Sequence, residues 1–438
     1  MDNKIFLNFI GSLRESADFQ AYIHKNERNT LTATNGHLEQ YYFGKYTKAT
    51  VRCFRDGRFG ESSSNDDSEE GIKELATAAY LATRFNGKSD FELYHESNIQ
   101  SIKVYEFDED KIYNALTDAN NAIGVKTDKT KSDTIMNMTY GINRVNIINS
   151  TGGYGEYQIP YLQANVQVYI KENNNVVSSI KSYTTQNANQ VNMVDITNSA
   201  YEEAKLRLGK QKHLEEFVGP VLFSSEATSK IITSLILAIS VPHILDNKSF
   251  IKYPDLDKEI ASKELTLYED PNIEDSISSR PFDDQMVPTT KKVLINKGVI
   301  KTYLHNISTA KRFNVRPTGN YLYISDLVND VQYSDIFVTN AIVEKGRYKT
   351  EELVKLISKG IYVKAIKYPN PYNGAFTTSF EGFYVENGEI KYPIKDGIIR
   401  SNLTEILNNI VECGKDSKKV GPIITPPILV EAVSVVSI

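Results

Sequence analysis

Residues 225–241, SEATSKIITSLILAISV, decide how the second half of this chain folds. Large aliphatic side chains recur in this segment at helical spacing and cover most of the helix circumference, which predicts a helix buried in a protein core. They are Ile231, Ile232, Leu235, Ile236 and Ile239. The longest apolar run, residues 231–241, is interrupted by Thr233, Ser234 and Ser240 and is too short to cross a bilayer.

The sequence around this helix is typical of a β-rich domain. Residues 292–304 and 383–394 are each expected to form a hairpin, because each contains an Asn near a Gly that accepts positive φ. Short helices are expected at 351–358 and 402–411, and the β-branched tail 422–438 is predicted to close a sheet or barrel. Residues 216–438 are therefore predicted to form a mostly antiparallel β-rich C-terminal domain.

The N-terminal half, residues 1–215, is predicted to be an α/β domain that divides into subsegments 1–98 and 99–215. Ser68 is a good N-cap for a helix that opens with acidic residues, and Arg55-Asp56-Gly57-Arg58 predicts a tight hairpin turn. Further helices are expected at 13–25, 108–123 and 198–208, and strands at 46–55, 139–148 and 161–183. The predicted fold class is α+β, with an N-terminal α/β domain and a C-terminal β domain.

Composition narrows the function. The 438 residues carry a net charge of −5, which gives no electrostatic reason to bind nucleic acid directly. The two cysteines, Cys53 and Cys413, stand far apart and fit a reducing compartment. The N-terminus lacks the apolar region and cleavage site of a signal peptide, so we expect a cytoplasmic protein that does not bind membranes.

Common catalytic patterns are missing from the sequence. His95-Glu96 is the only His-Glu pair and no second histidine follows at ligand spacing, so a surface histidine is the simpler interpretation. Gly152-Gly153-Tyr154-Gly155 lacks the Lys and Ser/Thr of a phosphate-binding loop and is interpreted as a turn between strands. No Gly-x-Ser-x-Gly elbow indicates a serine hydrolase.

Several motifs occur in an order that is similar to the TldD/PmbA family, the so-called modulators of DNA gyrase. The most specific is Arg280-Pro281-Phe282-Asp283-Asp284, which resembles the family pattern R-P-F-D-D-E-G-V-P-T, although Met286 stands where the family usually has glycine. Pro317-Thr318-Gly319-Asn320 resembles P-T-G-N, and residues 374–390 resemble G-x-F-S followed by G-F-x-V-E-N-G-E-I.

The resemblance implies that the helix at 225–241 corresponds to a zinc helix in the TldD branch, where it carries His-Glu-x-x-x-His. Counted from Pro220 without gaps, the three key positions are Thr233, Ser234 and Ala238. Threonine and serine are poor zinc ligands, alanine is none, and no member of this set is a carboxylate base. The chain is thus expected to hold no metal and to belong to the PmbA/TldE branch.

Cys413 precedes Gly414-Lys415, which invites comparison with the Cys-Gly-Lys zinc ligand near the C-terminus of TldD proteins. Residues 409–416 match an earlier family segment instead, and the ligand position falls near residues 420–424, where there is no cysteine. We therefore expect a structural cysteine.

The resemblance implies a two-domain protein that forms a dimer with a zinc-bearing TldD-like homologue, in a metalloprotease that acts on unfolded or short peptides in peptide maturation. This chain would then shape the substrate channel and hold no cofactor itself. Candidate peptide contacts are Arg280, Asp283, Asp284, Gly374, Phe376 and Ser379. The alternatives are a homodimeric binding or scaffold protein without a protease partner, and a stand-alone hydrolase that uses other residues.

Overall fold

The computed structural model describes residues 9–10, 17–87, 93–94, 109–122, 130–173, 175–208, 211–254, 256–326, 331–367 and 374–437. The fold is mixed α+β and mostly β. His95-Glu96 and part of the helix expected at 13–25 lie outside the described residues.

The N-terminal part is one antiparallel sheet with unusually long strands, covered by helices on one face. The strands are β1 (Ala17–Thr34), β2 (His37–Arg55), β3 (Arg58–Ser64), β4 (Thr130–Asn149), β5 (Tyr154–Glu172) and β6 (Asn175–Thr185). Their order in the sheet is β3-β2-β1-β4-β5-β6. The helices are α1 (Glu69–Ala82), α2 (Glu109–Ala122) and α3 (Met193–Leu206), and a 3₁₀ turn occupies Ala188–Gln190.

The helix expected at residues 13–25 was a wrong prediction over its described part, since Ala17 begins strand β1. Phe19, Ala21 and Ile23 are buried beneath α1, whereas Asp18 is exposed. Gln20 and Tyr22 on the opposite face are buried as well, so these residues do not alternate in exposure, and long-range pairing with β2 and β4 fixes the strand.

Other N-terminal predictions are confirmed. Ser68 accepts a hydrogen bond from the Gly71 backbone N–H at 3.1 Å and caps α1. The turn between β2 and β3 has positive φ at both Asp56 and Gly57, as the Asp-Gly sequence predicts. The helix expected at 108–123 is α2, and the helix expected at 198–208 is α3, which starts earlier, at Met193.

The C-terminal part combines a closed barrel with a second sheet. Its strands are β7 (Phe217–Phe223), β8 (Leu267–Glu269), β9 (Lys292–Asn296), β10 (Val299–Ile300), β11 (Tyr321–Asp326), β12 (Val331–Ile336), β13 (Ala341–Val343), β14 (Lys359–Ile366), β15 (Ala375–Glu386), β16 (Glu389–Pro393), β17 (Gly397–Asn402), β18 (Ile410–Cys413), β19 (Lys418–Val420), β20 (Ile423–Thr425) and β21 (Ile428–Ser437). Its helices are α4 (Ser225–Ala238), α5 (Val241–Leu245), α6 (Ile307–Phe313), α7 (Thr350–Lys355) and α8 (Leu403–Asn408).

Strands β14, β7, β21, β17 and β15 pair in that order, and β15 pairs back onto β14, which closes the barrel. The terminal strand β21 lies between β7 and β17, so the prediction that the tail closes a sheet or barrel is confirmed. The β14–β7 pair is parallel. The second sheet has the order β10-β9-β8-β13-β20-β19, and one core cluster that includes α4 joins it to the barrel.

The two parts meet across the sheet face opposite the helices. Tyr22, Val145, Ile147, Tyr157 and Ile159 on this face pack with Phe282, Met286 and Tyr323 of the C-terminal part. Within the described residues, no helix is long and apolar enough to span a membrane.

Candidate functional site

Helix α4 is the element on which the family resemblance places a metal. Ser224 caps it by accepting the Ala227 N–H at 3.2 Å and donates its own hydroxyl to the Lys364 carbonyl at 2.6 Å. The helix is buried nearly all round, as its sequence predicts. A partly exposed stripe remains, formed by Glu226, Lys230, Thr233 and Leu237.

The three positions that the resemblance aligns with zinc-binding residues do not fit a zinc ion. The Thr233 hydroxyl donates to the Ser229 carbonyl at 2.8 Å, and the Ser234 hydroxyl donates to the Lys230 carbonyl at 3.1 Å. Both hydroxyls are thus committed to the helix backbone, and Ala238, which has no donor atom, is fully buried. Across the part of the chain that the structure describes, no group of three or more His, Cys, Asp or Glu side chains has a metal-binding arrangement.

Cys413 ends strand β18 in a buried position. Its thiol donates to the Glu264 carbonyl at 3.4 Å, and burial raises its pKa to about 12. Cys53, also buried, has its pKa raised to about 12 for the same reason. Both thiols are therefore protonated at neutral pH, which removes them as nucleophiles and as thiolate ligands in this state.

The loop at residues 280–289 lies between the two parts of the molecule. Asp283 is fully buried, and its carboxylate accepts the backbone N–H groups of Gln285, Val287 and Tyr321 at 2.9, 3.0 and 2.9 Å. Burial raises the pKa of Asp283 to about 7. These contacts fold the loop on itself and tie it to β11.

Asp284 is also buried and faces the N-terminal sheet. It accepts the Tyr323 N–H at 2.6 Å and the Tyr157 hydroxyl at 3.4 Å. Burial raises its pKa, and the nearby Arg280 charge opposes that effect. Arg280 is partly exposed, and its buried Nε has no hydrogen-bond partner. Of this loop's candidates, Arg280 is the one whose side chain reaches solvent.

Met286 has a backbone φ of 66°, in the left-handed region where glycine is favoured. The loop therefore has the left-handed backbone conformation expected for the family's glycine, although methionine occupies this position. Its side chain is 3% exposed and packs with the tyrosines and aliphatic residues between the domains.

The turn Gly152-Gly153-Tyr154-Gly155 connects β4 to β5 and also supports this loop. A Cβ atom on Gly155 would lie 2.5 Å from the Phe282 ring, so glycine allows the ring to pack against the strand. The interpretation of this motif as a turn between strands is confirmed.

The segment 374–379 lies elsewhere, at the start of barrel strand β15. Phe376 is fully buried against Phe223, with ring centroids 6.3 Å apart, while Ser379 is exposed. Gly374 has positive φ and lies against Phe250. The six candidates therefore do not form one cluster, and only Arg280 and Ser379 offer a side chain to solvent.

Comparison with known proteins identifies the architecture. Residues 218–437 match the PmbA/TldA metallopeptidase C-terminal domain, and residues 20–83 match PmbA/TldA metallopeptidase domain 1. The first match alone covers half of the chain. The chain belongs to the PmbA/TldD family.

Two curated relatives in this family extend over most of the chain. The metalloprotease PmbA homolog of Buchnera aphidicola subsp. Acyrthosiphon pisum is 24% identical over 414 residues, which cover 92% of this chain and 89% of that protein. The metalloprotease PmbA of Escherichia coli O157:H7 is 23% identical over 413 residues, which cover 90% and 86%. The structure of TldE from Thermococcus kodakarensis shares the fold, with a TM-score of 0.83, 18% identity and 99% coverage of both chains.

The second PmbA/TldD-family motif, Pro317-Thr318-Gly319-Asn320, builds a buried polar network that the sequence did not reveal. The Asn320 amide donates to both Glu269 carboxylate oxygens at 2.9 Å, and Lys292 Nζ lies 2.8 Å from Glu269. Thr339 donates its N–H and hydroxyl to the same carboxylate at 2.7 and 2.8 Å. A buried carboxylate with this many donors is structural.

Sequence reasoning also missed Arg52, which is 1% exposed on the sheet face beneath the loop. It forms an ion pair with Glu61 at 2.9 Å, and its guanidinium lies 4.5 Å from the centre of the Tyr323 ring. Arg52 stands between the apolar residues Val51 and Cys53 in a strand, so the sequence alone predicts that its side chain faces solvent. Only the packing of the C-terminal part shows that this face is covered.

A third group of charges joins α3 to the C-terminal part near the start of α4. Glu203 lies 2.6 Å from Lys181 and 2.8 Å from Arg207, and Lys181 also lies 3.0 Å from Glu226. Arg207 in turn reaches Glu381 at 2.7 Å. Burial acts to raise the pKa of Glu203, but the neighbouring cations outweigh it and lower that pKa from 4.5 to about 2.

Proposed function

We propose that this chain is a PmbA/TldE-like subunit of a metallopeptidase in which a TldD-like partner holds the zinc. The pair would act on unfolded or short peptides in the cytoplasm. The observation that carries the proposal is the state of α4, where the hydroxyls of Thr233 and Ser234 are bonded to helix carbonyls and Ala238 has no ligand atom. Nothing at these positions activates water or polarises a carbonyl.

In this role the chain would contribute surface to the peptide channel. Arg280 and Ser379 supply the exposed contacts, while Asp283, Asp284, Gly374 and Phe376 hold the backbone that presents them. An extended peptide is bound chiefly through its main chain, so affinity requires few specific side chains.

The test compares the purified chain with a mixture of the chain and a TldD-like homologue. We expect no stoichiometric zinc and no cleavage of an unstructured peptide by the chain alone, and faster cleavage by the mixture than by the homologue alone. Tightly held zinc at about one per chain, or cleavage by the chain alone in the presence of a chelator, would overturn the proposal. A mixture no faster than the homologue would favour the homodimeric scaffold.

Arg280→Gln tests the channel surface separately. We expect a several-fold loss of peptide cleavage by the pair and a smaller loss of stability, because Arg280 is partly exposed, although its charge also offsets the burial of Asp284. Arg316→Gln, at an exposed arginine on the loop after α6, is the matched control. Equal effects of the two variants would remove Arg280 from the site.

A further inference from the structure

One arginine on the N-terminal sheet carries a charge that no neighbouring acid balances. Arg28 lies on β1, six residues after Tyr22 and on the same face, which is the face opposite the helices. Its side chain is partly exposed. Among the described residues no carboxylate lies within ion-pair distance of it, whereas Lys45 and Arg144 of the adjacent strands both pair with Glu27 on the other face. The charge of Arg28 is therefore available to an anion.

The guanidinium of Arg28 is held in place but only partly hydrogen-bonded. It lies 4.7 Å from the centre of the Tyr46 ring and donates from Nη2 to the Tyr46 hydroxyl at 3.2 Å. Its Nε atom is buried and has no hydrogen-bond partner. Nε and Nη2 together form the fork with which an arginine binds both oxygens of a carboxylate. A carboxylate would thus satisfy two donors where the Tyr46 hydroxyl satisfies one.

A glycine separates Arg28 from a tyrosine on the same face of the sheet. In the register of the strands, Arg28 is opposite Gly141 on β4, and Gly141 is opposite Tyr161 on β5. The Cα atoms of Arg28 and Tyr161 are thus about 9–10 Å apart, and the residue between them has no side chain. Burial raises the pKa of Tyr161, and the Asn26 amide and the Arg28 charge oppose that effect. The guanidinium therefore acts on the phenol across Gly141.

The Tyr161 hydroxyl has a hydrogen to donate. Its oxygen accepts an N–H of the Asn26 amide at 2.9 Å, and the same amide nitrogen donates to Asn143 at 2.9 Å. In the part of the chain that the structure describes, no group accepts the hydroxyl hydrogen of Tyr161. Because Asn26 fixes the oxygen, the O–H remains free to donate to a ligand.

We propose that Arg28 and Tyr161 form a carboxylate-binding site above Gly141, and that this site recognises a carboxylate of the peptide substrate. The peptide ligand rests on the proposed function. A carboxylate matches the site because its single negative charge balances one arginine and its two oxygens accept several hydrogen bonds. A peptide offers this group either at its C-terminus or on an Asp or Glu side chain.

The site extends the peptide surface that includes Arg280. His24 lies on the same face of β1 as Arg28, four residues before it. Burial lowers the pKa of His24, and the charge of Asp284 in the motif loop opposes that effect, so His24 lies near this loop. Four residues of extended chain span about 13 Å. An extended peptide that contacts the loop therefore reaches Arg28 within about four of its own residues.

Binding of labelled peptides to the full chain alone tests the site, with fluorescence anisotropy as the measurement. Three versions of one unstructured peptide are compared. The first has a free C-terminal carboxylate, the second has an amidated C-terminus, and the third has an amidated C-terminus and one internal glutamate. The second should bind at least tenfold more weakly than the tighter of the other two. Preference for the first identifies the terminal carboxylate as the ligand, and preference for the third identifies the side chain.

Substitutions test which residues create the preference. Arg28→Gln should weaken binding of the preferred peptide at least tenfold and leave the peptide without a carboxylate unchanged. Arg28→Lys keeps the charge but not the fork, so it should also lose most of the preference. Tyr161→Phe should reduce the preference several-fold. Arg144→Gln removes a partly exposed arginine from the opposite face of the same sheet and should leave all three affinities unchanged.

The proposal is overturned if wild type binds none of the peptides or binds all three equally, or if Arg28→Gln and Arg144→Gln have the same effect. Circular dichroism and melting temperature establish that each variant is folded. None of these measurements needs a peptidase partner. A chain that shows the expected preference but does not accelerate cleavage by a TldD-like homologue would refute the proposed function and leave the carboxylate site standing. The opposite pair of results would refute the site alone.

Discussion

Replacing Glu203 with glutamine should weaken the ion-pair network that connects α3 to the C-terminal part. The Glu203 side chain is 9% exposed, and its carboxylate contacts Lys181, Arg207 and the Ser179 hydroxyl at 2.6, 2.8 and 3.1 Å. Glutamine has nearly the same shape but no charge. In this variant Lys181 and Arg207 would retain only their ion pairs with Glu226 and Glu381. These pairs are weaker, because the Glu226 and Glu381 side chains are 34% and 62% exposed.

The size of the effect follows from the pKa. Lowering the pKa of Glu203 from 4.5 to about 2 corresponds to about 3 kcal/mol in favour of the folded state at neutral pH, at about 1.4 kcal/mol per pH unit. Because the cations retain other partners, we expect Glu203→Gln to cost about 2–3 kcal/mol. For a domain of this size the corresponding fall in melting temperature is roughly 5–10 °C.

The same linkage fixes the sign of the pH dependence. The folded-state pKa lies below the unfolded value, so the Glu203 contribution is present above about pH 4.5 and is lost as pH falls towards 2. The difference between wild type and Glu203→Gln should therefore shrink across this interval. Thermal melts at pH 7, 4.5 and 3 measure it.

Glu202→Gln is the matched control, because Glu202 is the exposed neighbour of Glu203 on the same helix. It should change stability by less than about 0.5 kcal/mol. Our reasoning is refuted if Glu203→Gln and Glu202→Gln have the same melting temperature. It is also refuted if the stability difference between Glu203→Gln and wild type stays constant as pH falls.

Three further predictions concern buried groups. Met286→Gly should destabilise the protein by about 1–2 kcal/mol, because it relieves roughly 1 kcal/mol of left-handed backbone strain but loses a larger amount of packing energy. Met286→Ala keeps the strain and loses similar packing, so it should be the less stable of the two variants in urea unfolding. The reverse order of stability would contradict this account. Asp283→Ala should lower stability by about 3–5 kcal/mol, since three backbone N–H groups lose their acceptor. A melting temperature within about 2 °C of wild type, which corresponds to a stability change on the order of 0.5 kcal/mol, would show that the loop rearranges. Cys53 and Cys413 should react with a thiol reagent only after denaturation, because burial raises both pKa values to about 12, and rapid labelling of the native protein would contradict that burial.

Local signals in the sequence predicted much of the fold. Val166, Val168 and Ile170 alternate along β5 and are fully buried, and Asn387-Gly388 forms its expected turn with positive φ at both residues. These features depend on neighbours within a few residues. The barrel does not, because the parallel pairing of β14 with β7 joins segments more than a hundred residues apart.

The functional groups were harder to predict for a related reason. Arg280 and Asp283 were identified only as members of a motif, and their different burial follows from how the loop packs under a distant sheet. Arg52 and Glu269 carried no signal, because one charged residue in a strand has the same appearance whether it faces water or a second domain. Arg52 packs under Tyr323 and Glu269 binds Asn320, and both of these partners come from distant segments of the chain.

The motif residues that carry the family resemblance make structural contacts. Asp283 and Asp284 bind backbone groups of the loop and β11, and Asn320 binds Glu269 in the second sheet, so these motif residues hold elements together. None of them needs a metal or a substrate to account for its contacts. In the proposed function the zinc chemistry belongs to the partner, and this chain forms the complete fold with Thr233, Ser234 and Ala238 on α4. The sharpest functional experiments should therefore address the partly exposed stripe of α4 and Arg280 rather than the buried motif carboxylates.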